Sequence, residues 1–105
     1  MPPAMSLASL TGAQKTKLRG LGQTMPDTIR LGKQGLTPAF LAELNRLLGN
    51  RELVKLRYEG ADRHERAALT SQIEAQAPCL CVGAVGHTAL FWREGPDGSK
   101  LLGGE

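Results

Sequence analysis

Long apolar runs are missing from this 105-residue chain: no stretch of roughly 18 apolar residues occurs, so nothing in it reads as a membrane-spanning helix. The opening Met1-Pro2-Pro3-Ala4-Met5-Ser6 lacks a basic start and a sustained apolar core, so it does not read as an export signal. A cytoplasmic location without membrane contact is therefore expected. Cysteine is scarce as well. Cys79 and Cys81 lie two apart, which on a strand turns both to the same face, yet joining them would distort the backbone. Reduced, inert thiols are expected. His64 and His87 are the only histidines, and neither stands at a zinc-ligand spacing from the cysteines. Ser-His-Asp spacing and paired carboxylates in an apolar setting are also missing. No metal or other cofactor is expected, and no enzymatic activity.

A nucleotide-binding P-loop is excluded on its own terms. Gly32-Lys33 is followed by Gln34, where that motif needs a Ser or Thr for magnesium. The preceding Pro26-Asp27-Thr28-Ile29-Arg30-Leu31 lacks the loop glycine.

Positive charge is present in excess and unevenly placed. The net charge is +3, but residues 94–105 carry Lys100 against Glu94, Asp97 and Glu105, leaving twelve basic and seven acidic side chains in residues 1–93. That balance suits a polyanionic partner. The chain is long enough for one modest core, not two.

Residues 1–9 read as a flexible arm. Thr11-Gly12-Ala13-Gln14 is a capping-box pattern, and Leu18, Leu21 and Met25 continue one helical face until Pro26 ends it. Lys15 and Arg19, one turn apart, flank that face. Gly20 and Gly22 weaken a helix by about 1 kcal/mol each, unless they permit close packing. Thr28-Ile29-Arg30-Leu31 alternates as a short strand. Thr37 then caps a helix that has Pro38 at its first position, an apolar stripe of Phe40, Leu41, Leu44, Leu47 and Leu48, and Gly49-Asn50 as terminators. Residues 52–59 form a second strand, with Val54, Leu56 and Tyr58 on a buried face and Lys55 and Arg57 on a wet, basic one. Asp62-Arg63-His64-Glu65 opens a third helix, carrying Leu69, Ile73 and Ala77 before Pro78. Residues 79–85 and 89–92 follow as strands joined by a turn at Gly86-His87-Thr88. Phe91 and Trp92 cannot both face one core on a regular strand, which puts one ring on the open sheet face, there either to pack under the tail or to stack on a base. Arg63, Glu65 and Arg66 read as surface helix pairs. Residues 94–105, rich in glycine, read as a disordered tail.

The order α-β-α-β-α-β-β predicts an α+β fold in two layers. Its mixed four-stranded sheet would carry the helices on one face and leave the other partly open. Between the first strand and the second helix stands Gly32-Lys33-Gln34-Gly35. Two glycines let a partner approach the backbone closely, Lys33 adds a cation, and the helix start offers unpaired amides. Loops of this form clamp nucleic-acid backbone in KH domains.

Here the chain resembles a known family. Leu31-Gly32-Lys33-Gln34-Gly35-Leu36-Thr37 is similar to the signature loop of the CRM domain (chloroplast RNA splicing and ribosome maturation). The likeness runs from Leu10-Thr11 and Leu18-Arg19-Gly20-Leu21 through Glu52-Leu53-Val54-Lys55-Leu56 and Asp62-Arg63-x-Glu65-Arg66. It ends at Val85-Gly86-His87-Thr88-Ala89-Leu90-Phe91-Trp92-Arg93, where the family more often has a Leu-Tyr-Arg-like ending. The resemblance implies a fold like the C-terminal domain of translation initiation factor three over residues 10–93. It also implies RNA binding through Gly32, Lys33, Gln34 and Gly35. Single-domain bacterial members are associated with precursors of the large ribosomal subunit, so large-subunit ribosomal RNA and pre-ribosomal particles are the expected partners. Arg30, Lys15, Arg19, Lys55 and Arg57 complete the expected RNA-binding set. The alternative is a module that docks on ribosomal proteins through its open sheet face.

Overall fold

Three side-chain caps set where the helices begin. In a computed structural model that describes residues 10–32 and 34–94, Thr11 accepts from the Gln14 amide at 3.1 Å and the Gln14 side chain accepts from the Thr11 amide at 3.0 Å, opening α1 (Gly12–Gln23). Thr37 accepts from the Phe40 amide at 3.1 Å and opens α2 (Pro38–Arg51). Asp62 and Glu65 form a second reciprocal box, at 2.8 and 2.9 Å, and open α3 (Arg63–Gln76). Each cap satisfies amides that the helix itself cannot, at a worth of about 1 kcal/mol. The expected arm (1–9), Lys33 and the tail beyond Glu94 lie outside the described residues.

Between the helices run β1 (Ile29–Leu31), β2 (Leu53–Tyr58), β3 (Leu80–Val85) and β4 (Thr88–Trp92), in the order the sequence predicts. They form one mixed sheet in the spatial order β1-β2-β4-β3. β1 and β2 are parallel, and β4 is antiparallel to both β2 and β3. Strands β1, β2 and β3 therefore all run one way, with β4 inserted against them. A bulge between Cys81 and Gly83 shifts the β3–β4 register, and Glu74 of α3 accepts from the Cys81 amide there at 2.8 Å.

The α+β class and the mixed four-stranded sheet match expectation; the placement of the helices does not. α2 and α3 cover one face, where Leu44, Leu47, Leu48 and Ile73 meet Ile29, Leu31, Val54, Leu56, Ala89 and Phe91. α1 lies against the other face, where Leu18 joins Leu53, Val82, Leu90 and Trp92 in a second cluster. Phe91 and Trp92 do point opposite ways, but both are buried, at 0% and 1% exposure. The ring expected on an open face instead packs under α1. The physical reason lies in β4 itself: Ala89-Leu90-Phe91-Trp92 is apolar without interruption, and such a strand requires cover on both faces. Gly22 is what lets α1 come so close. A Cβ there would overlap the Leu90 methyl groups, with Cδ2 at 2.7 Å, whereas Gly20 faces open space.

The end of α2 also departs from its sequence signals. Gly49-Asn50 do not stop it; the helix continues to Arg51, and Glu52 closes it with φ +66°. Tertiary contact overrides the local terminators. The Glu52 carboxylate, buried at 8% exposure, accepts from Trp92 Nε1 at 2.8 Å, and its carbonyl accepts from the Arg93 amide at 2.9 Å. Arg93 then donates to the Pro78 carbonyl at 2.6 Å and to the Asn45 side chain, binding the end of β4 to α2 and to the entry of β3.

Candidate nucleic-acid interface

Because β1, β2 and β3 run in one direction, the loops that follow them gather at a single edge of the sheet. Backbone bonds fasten that edge: the Glu59 amide donates to Leu31 O at 2.9 Å, and the Tyr58 amide donates to His87 O at 2.7 Å. The edge thus holds the glycine loop, the start of α3 and the β3–β4 turn.

Gly32 and Gln34 are exposed, and Gly35 is half-exposed with φ +75°. A Cβ at either glycine would meet nothing within 4 Å, so the loop is open to a partner. The Gly35 amide donates to Gly32 O at 3.1 Å and the Thr37 amide to Gly35 O at 3.0 Å. Those two donors hold the turn and are not available to a ligand. The amides of Gln34, Leu36 and Ala39 have no acceptor among the described residues. Lys33, which would add the cation, lies outside the described residues.

On the α1 side of the sheet, next to this edge, one register row crosses all four strands: Arg30 opposite Arg57, Arg57 opposite Thr88, Thr88 opposite Val85. α1 leaves this row uncovered. Arg57 is exposed, and its side chain has no hydrogen bond or ion pair among the described residues. Val85 is 79% exposed. Arg30 is paired with Asp27 at 3.3 Å and Glu59 at 3.5 Å. Both pairs are solvent-accessible, so they compete weakly with a phosphate for the guanidinium.

The remaining expected cations divide. Lys15 is exposed on α1. Arg19 is exposed, but its stem lies over Gly83, and its guanidinium donates to Val82 O and Thr16 Oγ1, both at 3.2 Å. It borders a groove of about 500 Å³ between α1 and the β3–β4 hairpin. Lys55 does not belong to a wet face. Half-buried under α1, its ammonium donates to the carbonyls of Gly22 and Met25, each at 3.2 Å. Those carbonyls lie at the negative end of the α1 dipole, where Gly22 O also accepts from the Met25 amide at 3.2 Å, and Lys55 adds a charged donor to this cap.

Two arginines at this edge escape a sequence reading as surface pairs. Arg63 and Arg66 line a groove of about 600 Å³ beside Gly86, and no carboxylate pairs with either among the described residues. The strand directions were the available signal: α3 follows β2 as the glycine loop follows β1, so both starts share one edge. Both cysteines are free, and burial pushes the Cys79 pKa up to about 12. Among the described residues, no group of three or more His, Cys, Asp or Glu side chains is placed to hold a metal ion. No helix there is long and apolar enough to cross a membrane.

Residues 10–93 match the family model of the CRS1 / YhbY (CRM) domain. This chain belongs to the CRM family. A relative from Pseudomonas aeruginosa, named as a probable RNA-binding protein, is 34% identical over 94 residues, covering 90% of each chain. A Haemophilus influenzae protein named as an RNA-binding protein is 31% identical over 96 residues, covering 91% of this chain and 97% of its own. Among solved structures, the solution structure of a hypothetical Staphylococcus aureus protein, described as a candidate RNA-binding protein, superposes with a TM-score of 0.73. It shares 26% identity, with 82% of this chain and 90% of that one covered.

Proposed function

We propose that this CRM domain binds large-subunit ribosomal RNA and acts, without catalysis of its own, as an assembly or maturation factor of the large ribosomal subunit. The observation that carries this reading is the sheet edge itself. There an exposed glycine loop with unengaged amides adjoins Arg30 and the unpaired Arg57. The Gln34 and Leu36 amides and the Lys33 ammonium would hold a phosphate, and the arginine row would position the neighbouring strand. The relatives named as RNA-binding proteins support the same ligand class. α1 covers much of the second sheet face and buries Trp92, which favours the RNA reading over docking on a ribosomal protein through that face.

Titration of folded protein against large-subunit ribosomal RNA fragments tests the proposal. Lys33→Ala and Arg57→Gln should each weaken binding and make log Kd against log salt shallower by about 0.7–0.9, one phosphate contact apiece. In cells, crosslinked nucleotides should map to large-subunit RNA and the protein should sediment with precursor particles. Unchanged affinity in both variants would remove the loop and the row from the interface. Crosslinks spread evenly over cellular RNA would refute the ribosomal assignment.

A further inference from the structure

The edge carries a second groove, on the α3 side of the sheet, and its chemistry is narrower than its size suggests. It lies between the first turns of α3 and the β3–β4 turn and encloses about 600 Å³, room for a nucleotide. Its hydroxyl groups are turned inward. Tyr58 and Thr70 are hydrogen-bonded to each other, Thr70 donates to Arg66 O at 2.8 Å, and Thr88 donates to Val85 O at 2.9 Å. The neighbouring acids are engaged too, since Asp62 and Glu65 close the capping box, each accepting from the other's amide.

What remains is guanidinium. Arg66 gives one N–H to Ala61 O at 2.9 Å and keeps the rest of its donors; Arg63 has no partner among the described residues. Arg30 and Arg46, by contrast, each hold a carboxylate. Gly86, at φ +57° with open space where a Cβ would stand, lets a chain pass close over the turn. A groove with two planar cations that hold no carboxylate among the described residues fits an anion that takes bidentate donors.

We infer that this groove holds a phosphodiester of the bound RNA through Arg63 and Arg66, so that the RNA crosses the β3–β4 turn between the glycine loop and α3. The inference rests on the RNA-binding reading above and adds a second contact to it. Ala84 and Thr88 border both this groove and the one beside α1, so the turn forms a ridge between two basic troughs. A single-stranded segment following the edge would contact both.

The test is fluorescence anisotropy with a labelled stem–loop RNA that carries a single-stranded flank, comparing wild type, Lys33→Ala, Arg63→Gln, Arg63→Lys and Ala67→Glu. Arg66 is left alone because it also supports the loop before α3, and thermal melts confirm that each variant is folded. Arg63→Gln should weaken binding about three- to tenfold and flatten the salt slope by about 0.7–0.9. Ala67→Glu, which adds a carboxylate to the groove wall, should weaken it at least as much, and Arg63→Lys should restore the slope. If Lys33→Ala weakens binding while Arg63→Gln and Ala67→Glu leave affinity and slope unchanged, the RNA reading stands and this groove is not part of it. If those variants abolish capture of a poly-aspartate peptide but spare RNA, the groove serves an acidic protein and the inference is overturned.

Discussion

Replacing Lys55 with methionine separates a structural cation from an RNA-binding one. The ammonium reaches two carbonyls at the C-terminal end of α1, Gly22 O and Met25 O, each at 3.2 Å. A hydrogen bond from a charged group in a partly buried site is worth roughly 1.5–3 kcal/mol net. Two such bonds share one ammonium here, and water can reach the freed carbonyls, so the total loss should be about 2 kcal/mol. Methionine keeps the apolar stem, so little packing is lost. For a domain of this size, about 2 kcal/mol corresponds to a fall in Tm of about 10 °C. At a temperature where both proteins are folded, RNA affinity should stay within about twofold of wild type, since two of the three Lys55 donors are held by the Gly22 and Met25 carbonyls and the ammonium is fixed there. Arg57→Gln should do the reverse, leaving Tm nearly unchanged while weakening RNA binding and its salt slope. Differential scanning fluorimetry and anisotropy on the same preparations give both numbers. A Lys55→Met protein that melts with wild type yet loses affinity like Arg57→Gln would refute the assignment of Lys55 to the α1 terminus.

The two glycines of α1 should respond in opposite directions. Gly20→Ala enters open space and should stabilise by about 0.5–1 kcal/mol through helix propensity, whereas Gly22→Ala drives a methyl into Leu90 and should destabilise by about 1–2 kcal/mol despite the same gain; urea unfolding of both variants decides it. Burial pushes Cys79 from its ordinary value of 9.0 to about 12, so the native protein favours the neutral thiol. The stability this contributes is complete below the unfolded pKa and is lost as pH rises from there towards about 12. At about pH 10 the loss should be about 1 kcal/mol, absent in Cys79→Ala, and the native thiol should resist iodoacetamide at neutral pH. Equal pH dependence in wild type and Cys79→Ala would contradict it.

What the sequence made legible was local. Thr11, Thr37 and Asp62 begin helices because a side-chain oxygen three residues ahead of an amide needs nothing distant to act. The alternation of Ile29-Arg30-Leu31 and of Val54 to Tyr58 reported the buried face for the same reason. Glu52 could not be read this way. Its positive φ and buried carboxylate depend on Trp92, 40 positions away, and no nearby residue signals that partner. The second layer of helix was a different kind of omission. The unbroken run Ala89-Leu90-Phe91-Trp92 and the pair Leu53-Val54 imply a sheet covered twice, whereas the alternation of β2 points to one wet face.

That second layer also explains why the expected site residues divide as they do. Lys55 and Arg57 stand two apart on β2 and share a face, so sequence period alone assigns them the same fate. α1 crosses that face only as far as the row Gly83–Leu90–Lys55; the next row, Val85–Thr88–Arg57–Arg30, lies beyond its end. One cation is thereby consumed in fixing the helix and the other is left in water at the edge where the loops after β1, β2 and β3 converge. A basic strand face by itself thus does not define a phosphate-binding surface. Which of its residues are free to bind is decided by what the rest of the fold lays across them.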